Sequence, residues 1–316
     1  MIRKLLVLIL LIFLVACSKP LYKNKFVIAG TYLEVTSPNP EASNIVYSEF
    51  RRLNKIFNAF DSESEISVFN RTYAVPFKAS DDLIEILELS KKLTDLTEGS
   101  FDVSRGILYK FWKRLIKKTD QTSLPSQTLI EQIRDLGGIS GLEIDLENQT
   151  IKINKKGVVI DLGAIAKGYM VDKAVLKLKA KGVKSALINA GGDMYCLGKK
   201  YAKPWQVGVR DPRERGQIIE TKVIVNQSIA TSGNYEQFFD RNGKRYSHLI
   251  DPRTGYPASS NIISVSVIAE SCAVADALAT AFFISGREGI EKFLIKNPSL
   301  AKIFIVEEGG IVTSYE

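Results

Sequence analysis

His248 is the only histidine in the chain, and it lies in the most polar stretch, Tyr246-Ser-His-Leu-Ile-Asp-Pro-Arg-Thr-Gly255. An imidazole, a carboxylate, a guanidinium and three hydroxyls fall within ten residues. A buried regular element could not satisfy so many polar groups easily. The stretch therefore predicts a shaped loop leaving a strand, where reactive side chains are commonly placed. Imidazole titrates near neutral pH, which suits a general base. A lone histidine also serves as an ordinary satisfied core or surface residue, so the other motifs decide.

Asp161-Leu-Gly-Ala-Ile-Ala-Lys-Gly168 reads as a strand ending in a carboxylate, a glycine turn and a helix with Lys167 in its first turn. Helix N-termini and a nearby ammonium attract phosphate. The spacing is neither that of a Walker loop nor of a Rossmann fingerprint, and an ordinary strand–turn–helix junction fits equally. Asp276-Ala-Leu-Ala-Thr280 puts a carboxylate and a hydroxyl on one helix face. Both are hard oxygen ligands that suit magnesium. An Asp that merely counters a helix dipole reads the same way. Ile229-Ala-Thr-Ser-Gly-Asn-Tyr235 runs from a strand into a Ser-Gly turn, and with Tyr246–Gly255 offers hydroxyl and carboxylate contacts to a nucleotide. Leu187-Ile-Asn-Ala-Gly-Gly-Asp193 ends in a glycine pair that allows close approach.

The elements that position these groups follow from periodicity. Alternation predicts one strand over Phe26–Thr36. Helical spacing marks Glu41–Phe57, a polar loop spans Asn58–Asn70, and Ser80 caps a helix running to about Leu96. Gly106–Lys118 and Gln127–Leu136 are further helices. Lys155-Lys-Gly157 predicts a hairpin joining Ile151–Asn154 to Val158–Asp161. Ala164–Lys181 and Ser271–Ile284 are helical, with strands at Ala186–Asn189, Trp205–Arg210, Ile218–Val225, Ser264–Ala269 and Ile303–Val306. A last helix lies near Arg287–Ile295. Helices and strands do not alternate regularly, so the fold class is α+β: mixed sheets with packed helices and a helical insertion around residues 80–140.

Residues 1–16 have a basic start, Arg3-Lys4, and an apolar run too short for a comfortable membrane span. They predict a signal peptide, and Leu14-Val-Ala-Cys17 looks like a bacterial lipobox that leaves Cys17 lipidated. Residues 17–25 are then a tether, and the expected location is exported, anchored to a bacterial membrane and facing the periplasm or the cell exterior. The formal charge of +8 is scattered as isolated pairs, compatible with an anionic ligand or a membrane face. It does not form the basic, aromatic-interleaved stripe of a nucleic-acid partner. Cys196 and Cys272 read as buried free thiols, and no Cys/His cluster suggests zinc.

Taken in order, Asp161–Tyr169, Asn189–Asp193, Ala230–Tyr235, Tyr246–Gly255 and Ala275–Thr280 resemble the ApbE family of FAD:protein FMN transferases, often bacterial lipoproteins. The likeness spans essentially the whole chain after the leader and implies a single large domain over residues 26–316. It implies FAD as substrate and Mg2+ as cofactor, the metal held by the Asp276 carboxylate, the Thr280 hydroxyl and main-chain oxygens of Ala164 and Ala279. Ala29, Phe60, Ser100, Phe101, Asp102, Asp161, Lys167 and Ile250 fall at positions that contact FAD. His248 falls where the family's base removes the proton of a Ser or Thr hydroxyl on an exported or membrane-exposed acceptor flavoprotein. Two positions depart from the pattern: Ala29-Gly-Thr31 stands for Met-Gly-Thr, and Phe60 for a tyrosine. Phe60 keeps a stacking face without the hydroxyl. A magnesium-dependent FAD pyrophosphatase and a non-catalytic FAD-binding lipoprotein remain alternatives.

Overall fold

The computed structural model describes residues 20–117, 125–214, 216–234, 238–241 and 244–316. The leader, Cys17 and Tyr235 lie outside the described residues. The alternation expected as one strand folds as two, β1 (Tyr22–Ile28) and β2 (Thr31–Ser37), paired antiparallel. Ala29 and Gly30 turn the chain at φ 53° and 71°. An alanine rarely takes that conformation, so the sequence carried no hairpin signal there. Tyr22–Lys25, expected in the tether, are part of β1.

Helix α1 (Ala42–Phe57) buries Val46, Phe50 and Leu53 along one face. The loop expected over Asn58–Asn70 contains a short helix, α2 (Glu65–Phe69), capped by Ser64. After β3 (Phe77–Lys78), the helical insertion holds α3 (Asp81–Leu96), α4 (Gly106–Lys117) and α5 (Gln127–Leu136). Ser80 and Ser126 accept from Leu83 and Leu129 backbone N–H groups at 3.3 Å, satisfying orphan donors at two of these helix starts. Next come β4 (Leu142–Asp145) and β5 (Thr150–Ile153), which pair with each other, β5 also pairing with β3.

The hairpin expected at Lys155–Gly157 is absent among the described residues. Val158–Asp161 runs extended, but its backbone is satisfied elsewhere. The Asn70 side chain accepts from Ile160 N and donates to Ile160 O, and the segment Val103–Gly106 binds Asp161 N and Val159 O. Three glycine- and lysine-rich residues made a turn signal, and a distant asparagine decided the pairing.

The rest of the chain is α6 (Ala166–Ala180), β6 (Ala186–Ala190), β7 (Asp193–Leu197), β8 (Trp205–Arg210), β9 (Ile218–Ile224), β10 (Gln227–Gly233), β11 (Phe238–Arg241), β12 (Lys244–Ser247), β13 (Ile262–Ala269), α7 (Cys272–Lys296), β14 (Lys302–Glu307) and β15 (Val312–Tyr315). Helix α7 merges the two helices expected there, with a kink at Gly286. Eight strands form one antiparallel sheet in the order β1-β2-β6-β7-β10-β13-β14-β15. Helices α1, α6 and α7 cover one face, burying Leu33, Ile188, Val265 and Ile305 in the main core. On the other face the β8–β9 hairpin lays Trp205, Val207 and Ile224 over Ile229, Phe304 and Val306. The architecture is the expected α+β class.

Candidate active site

The site begins where α6 meets the start of α7. A Cβ on Gly168 would sit 2.4 Å from the Cys272 carbonyl oxygen, so only glycine lets the two backbones approach this closely. One turn further along α6, Asp172 accepts from Ser271 Oγ (2.7 Å) and from the backbone N–H groups of Cys272 (2.7 Å) and Ala273 (2.9 Å). A carboxylate on one helix thus caps the next, where the dipole favours negative charge. Burial nevertheless pushes the Asp172 carboxyl above its usual range, against these hydrogen bonds.

This junction carries Lys167 and Asp276 to one corner. Lys167 Nζ lies 2.5 Å from Asp193 Oδ2 and 3.3 Å from Asp276 Oδ2, and Gly168 N donates to Asp276 at 3.4 Å. Burial pulls the Lys167 ammonium down, but the charges of Asp193 and Asp276 outweigh it and hold the pKa well above the usual lysine range. Thr280, one turn beyond Asp276, shares a hydrogen bond of 3.1 Å with Ser232 at the end of β10. Both free thiols are buried, and burial pushes Cys196 up to about 12.

Facing this corner is the loop after β12. His248 is half-buried, and the loop around it is braced from within. Asp251 accepts from Arg253 N (2.9 Å), Nε (2.9 Å) and Nη2 (2.8 Å), and Gly255 O accepts from Trp112 Nε1 at 2.7 Å. Gly255 stands at φ 83°, and a Cβ there would meet Ile130 at 2.7 Å. The carboxylate that the sequence offered as a ligand contact is therefore engaged, with the Arg253 guanidinium, in shaping the loop. The turn at Ser100–Asp102 behaves alike. Ser100 Oγ donates to Thr97 O, while Asp102 accepts from Ser104 N (2.8 Å) and Arg105 Nε (3.2 Å).

Between these walls lies a cleft of about 390 Å³. It is lined by Ser100, Phe101, Asp102, Asp161, Ala164, Lys167, His248, Ile250, Asp276 and Thr280, drawn from segments far apart in sequence. Asp161 is held by Gly163 N at 2.9 Å, which fixes the turn into α6. Three expected residues do not line it. Ala29 is half-buried in the β1–β2 turn, close to the cleft only through Thr31, which abuts Gly191. Phe60 is 87% exposed, its ring 5.1 Å from the Nζ of Lys113, a cleft residue. Ala279 is fully buried in α7 beside Thr280. Thr231 and Ser232, which the sequence offered as hydroxyl contacts to a nucleotide, line the cleft as well, and so do Asp193 and Lys113, to which it gave no role. A carboxylate directly after Gly191-Gly192 was the signal that could have found Asp193.

The fold and cleft define an α+β protein with two cations, Lys113 and Lys167, and several oxygen-bearing side chains lining one cleft. This chain belongs to the ApbE family, whose model matches residues 29–304. It is 32% identical to the FAD:protein FMN transferase of Treponema pallidum, over 85% of this chain and 78% of that protein. It is 31% identical to the FAD:protein FMN transferase of Rhodobacter capsulatus over 92% of its length, and spans 56% of that longer protein. The crystal structure of the ApbE protein from Thermotoga maritima superposes with a TM-score of 0.84 at 30% identity, covering 94% of this chain and 97% of that one.

Proposed function

We propose that this protein transfers FMN from FAD to a Ser or Thr hydroxyl of an acceptor flavoprotein, releasing AMP. The observation that supports the reading is the convergence of Asp276, Thr280, Lys167 and His248 on one cleft. The acceptor oxygen bonds to the phosphorus on the FMN side as the pyrophosphate P–O bond breaks. AMP departs with the bonding electron pair. His248 takes the hydroxyl proton, assistance that is typically worth ~10²–10⁴-fold. Lys167, kept protonated by its two carboxylates, sets a fixed positive charge beside the phosphates. Phe101 and Ile250, both buried, give the flavin or adenine an apolar wall.

The donor set fits magnesium. Asp276 and Thr280 present hard oxygens beside Ala164, and no thiol among the described residues lines the cleft. Among the described residues no cluster of three or more His, Cys, Asp or Glu side chains could hold a metal alone. One carboxylate with a hydroxyl, main-chain oxygens and substrate phosphates is the kind of set magnesium accepts. The ion, when bound, would neutralise charge building on the phosphates.

We further propose that Cys17 is lipidated and that residues 18–21 tether the domain to a membrane facing the periplasm or cell exterior. Metabolic labelling with an alkynyl fatty acid, lost in Cys17→Ser, checks this.

The decisive assay supplies the soluble domain with FAD and magnesium, with and without an acceptor flavoprotein. AMP release that depends on the acceptor, with FMN left on it, establishes the transferase. Equal AMP and free FMN without acceptor would make the protein a pyrophosphatase. FAD binding with no AMP in either arm would make it a carrier.

A further inference from the structure

On the sheet face away from the helices lies a second depression, of about 420 Å³. Its walls are the β8 strand on one side and the outward side chains of β1, β2 and β6 on the other. Gly191 and Thr231 line both this groove and the active-site cleft, so the two adjoin around the β6–β7 turn. The turn between them is Gly191-Gly192, which has no side chain to bar passage. A Cβ on Gly192 would meet nothing within 4 Å, so packing does not demand a glycine there. The residue's positive φ of 107° is what favours glycine, and the turn is left without bulk.

The surface beside the groove is unusual for a solvated sheet face. The β1–β2 register pairs Lys25 with Glu34 and Val27 with Tyr32, placing all four on the same outward side. Tyr32 is 67% and Val27 74% exposed. Glu34 is occupied by Lys23 (2.8 Å) and Lys25 (3.4 Å). Burial raises its carboxyl, but the two lysines together outweigh that and lower it. Across the groove Arg210 is exposed and makes no ion pair among the described residues. Lys23, Lys25 and Arg210 against Glu34 leave a positive surplus. Exposed Tyr and Arg flanking a groove is the composition of protein-docking surfaces.

The transferase reading, on which this inference rests, requires a second substrate that is itself a polypeptide. Its hydroxyl must enter the cleft while its main chain stays outside. We propose that an extended, acidic segment of the acceptor lies in this groove and crosses the Gly191-Gly192 turn to deliver its Ser or Thr hydroxyl to the cleft. Basic residues steer the segment electrostatically, and Tyr32 supplies apolar contact along it.

The test uses two Thr-centred peptides, one flanked by aspartates and one by lysines, as flavin acceptors. Peptide-bound flavin fluorescence gives KM for each peptide, and FAD fluorescence quenching gives FAD affinity separately. The wild-type protein favours the aspartate-flanked peptide. Arg210→Glu raises KM for that peptide about tenfold and narrows or reverses the preference, with FAD affinity unchanged. Tyr32→Ala raises KM for both peptides, again with FAD affinity unchanged. Wild-type KM values in both variants, or a loss of FAD affinity in place of a KM change, overturn the groove assignment while leaving the transferase standing. Wild-type protein that releases AMP and free FMN yet labels neither peptide overturns the transferase reading, and the groove with it.

Discussion

Asp276 and Lys167 meet where two long helices touch, whereas His248 rides on a loop behind the two-stranded β11–β12 ribbon. The first wall is buried and held by backbone. Gly168 sets the helix contact, Asp172 caps α7, and Asp193 fixes the ammonium. The second wall is half-exposed and is held by its own side chains, Asp251 with Arg253, and by Trp112 from the helical insertion. Under the proposed transfer mechanism, the difference follows the work each wall would do. Charges that stabilise a transition state act best when they do not reorganise. A proton acceptor has to meet a hydroxyl that arrives from outside, so a braced loop at the opening suffices.

That contrast can be broken from the first wall with the largest effect. Asp276→Ala removes an oxygen donor and leaves Lys167 balanced by Asp193 alone. AMP release should fall at least ~10³-fold, with FAD affinity reduced far less when measured by fluorescence quenching. His248→Ala, on the second wall, should cost ~10²-fold in turnover and leave the melting temperature unchanged. Equal thermal losses in both variants would erase the distinction between a structural corner and a chemical loop.

Gly168→Ala tests whether backbone contact places the corner. Alanine gains roughly 1 kcal/mol in helix propensity, but its Cβ meets a carbonyl that belongs to another helix and cannot swing away. Overpacking of that kind costs about 1–3 kcal/mol, so net destabilisation with loss of turnover is expected in chemical denaturation and AMP assays. An alanine variant as stable and active as wild type would show that the α6–α7 contact does not position Asp276.

The smallest effect sharpens the comparison from behind the corner. Asp82 at the start of α3 ties α1 and α6 together through Arg52 (2.6 Å), Lys173 (3.7 Å) and Tyr169 (3.2 Å). Burial raises the Asp82 carboxyl, and Arg52 and Lys173 more than reverse that, so its pKa is lowered. A lowered carboxylate stabilises the fold above its unfolded pKa of roughly 3.9 and loses that contribution as pH falls through the folded value. Asp82→Asn should therefore lower stability by about 0.5–1 kcal/mol at neutral pH, converge with wild type in acid, and leave turnover intact. A pH-independent deficit would mean that the charge is not what matters.

Much of this was legible locally. The cap Ser80, the periodic apolar face of α1, and Asp276 and Thr280 one helical turn apart are short-range signals that survive folding. The ordered motifs also identified the family, because five constellations in sequence constrain far more than any one. Where the reading failed, a long-range partner overruled a local pattern. Val158–Asp161 left its expected hairpin because Asn70 and Val103 took its hydrogen bonds. Phe26–Thr36 instead bent into two strands at Ala29-Gly30, both at positive φ, where β1 folds back to pair with β2.

By itself, then, the sequence determined which residue types could do the chemistry and which elements carry them, since periodicity, capping and glycine placement are local properties. Only the tertiary structure decided which of those groups meet. Lys167 is separated by 26 residues from Asp193 and by 109 from Asp276. The three charges come together because Gly168 lets α6 press against α7 while the β6–β7 turn brings Asp193 alongside. The same packing paired Asp251 with Arg253 and Asp102 with Arg105, so that these charges brace loops. A charge spent on its own loop and a charge aimed at a substrate look identical until the distances are known.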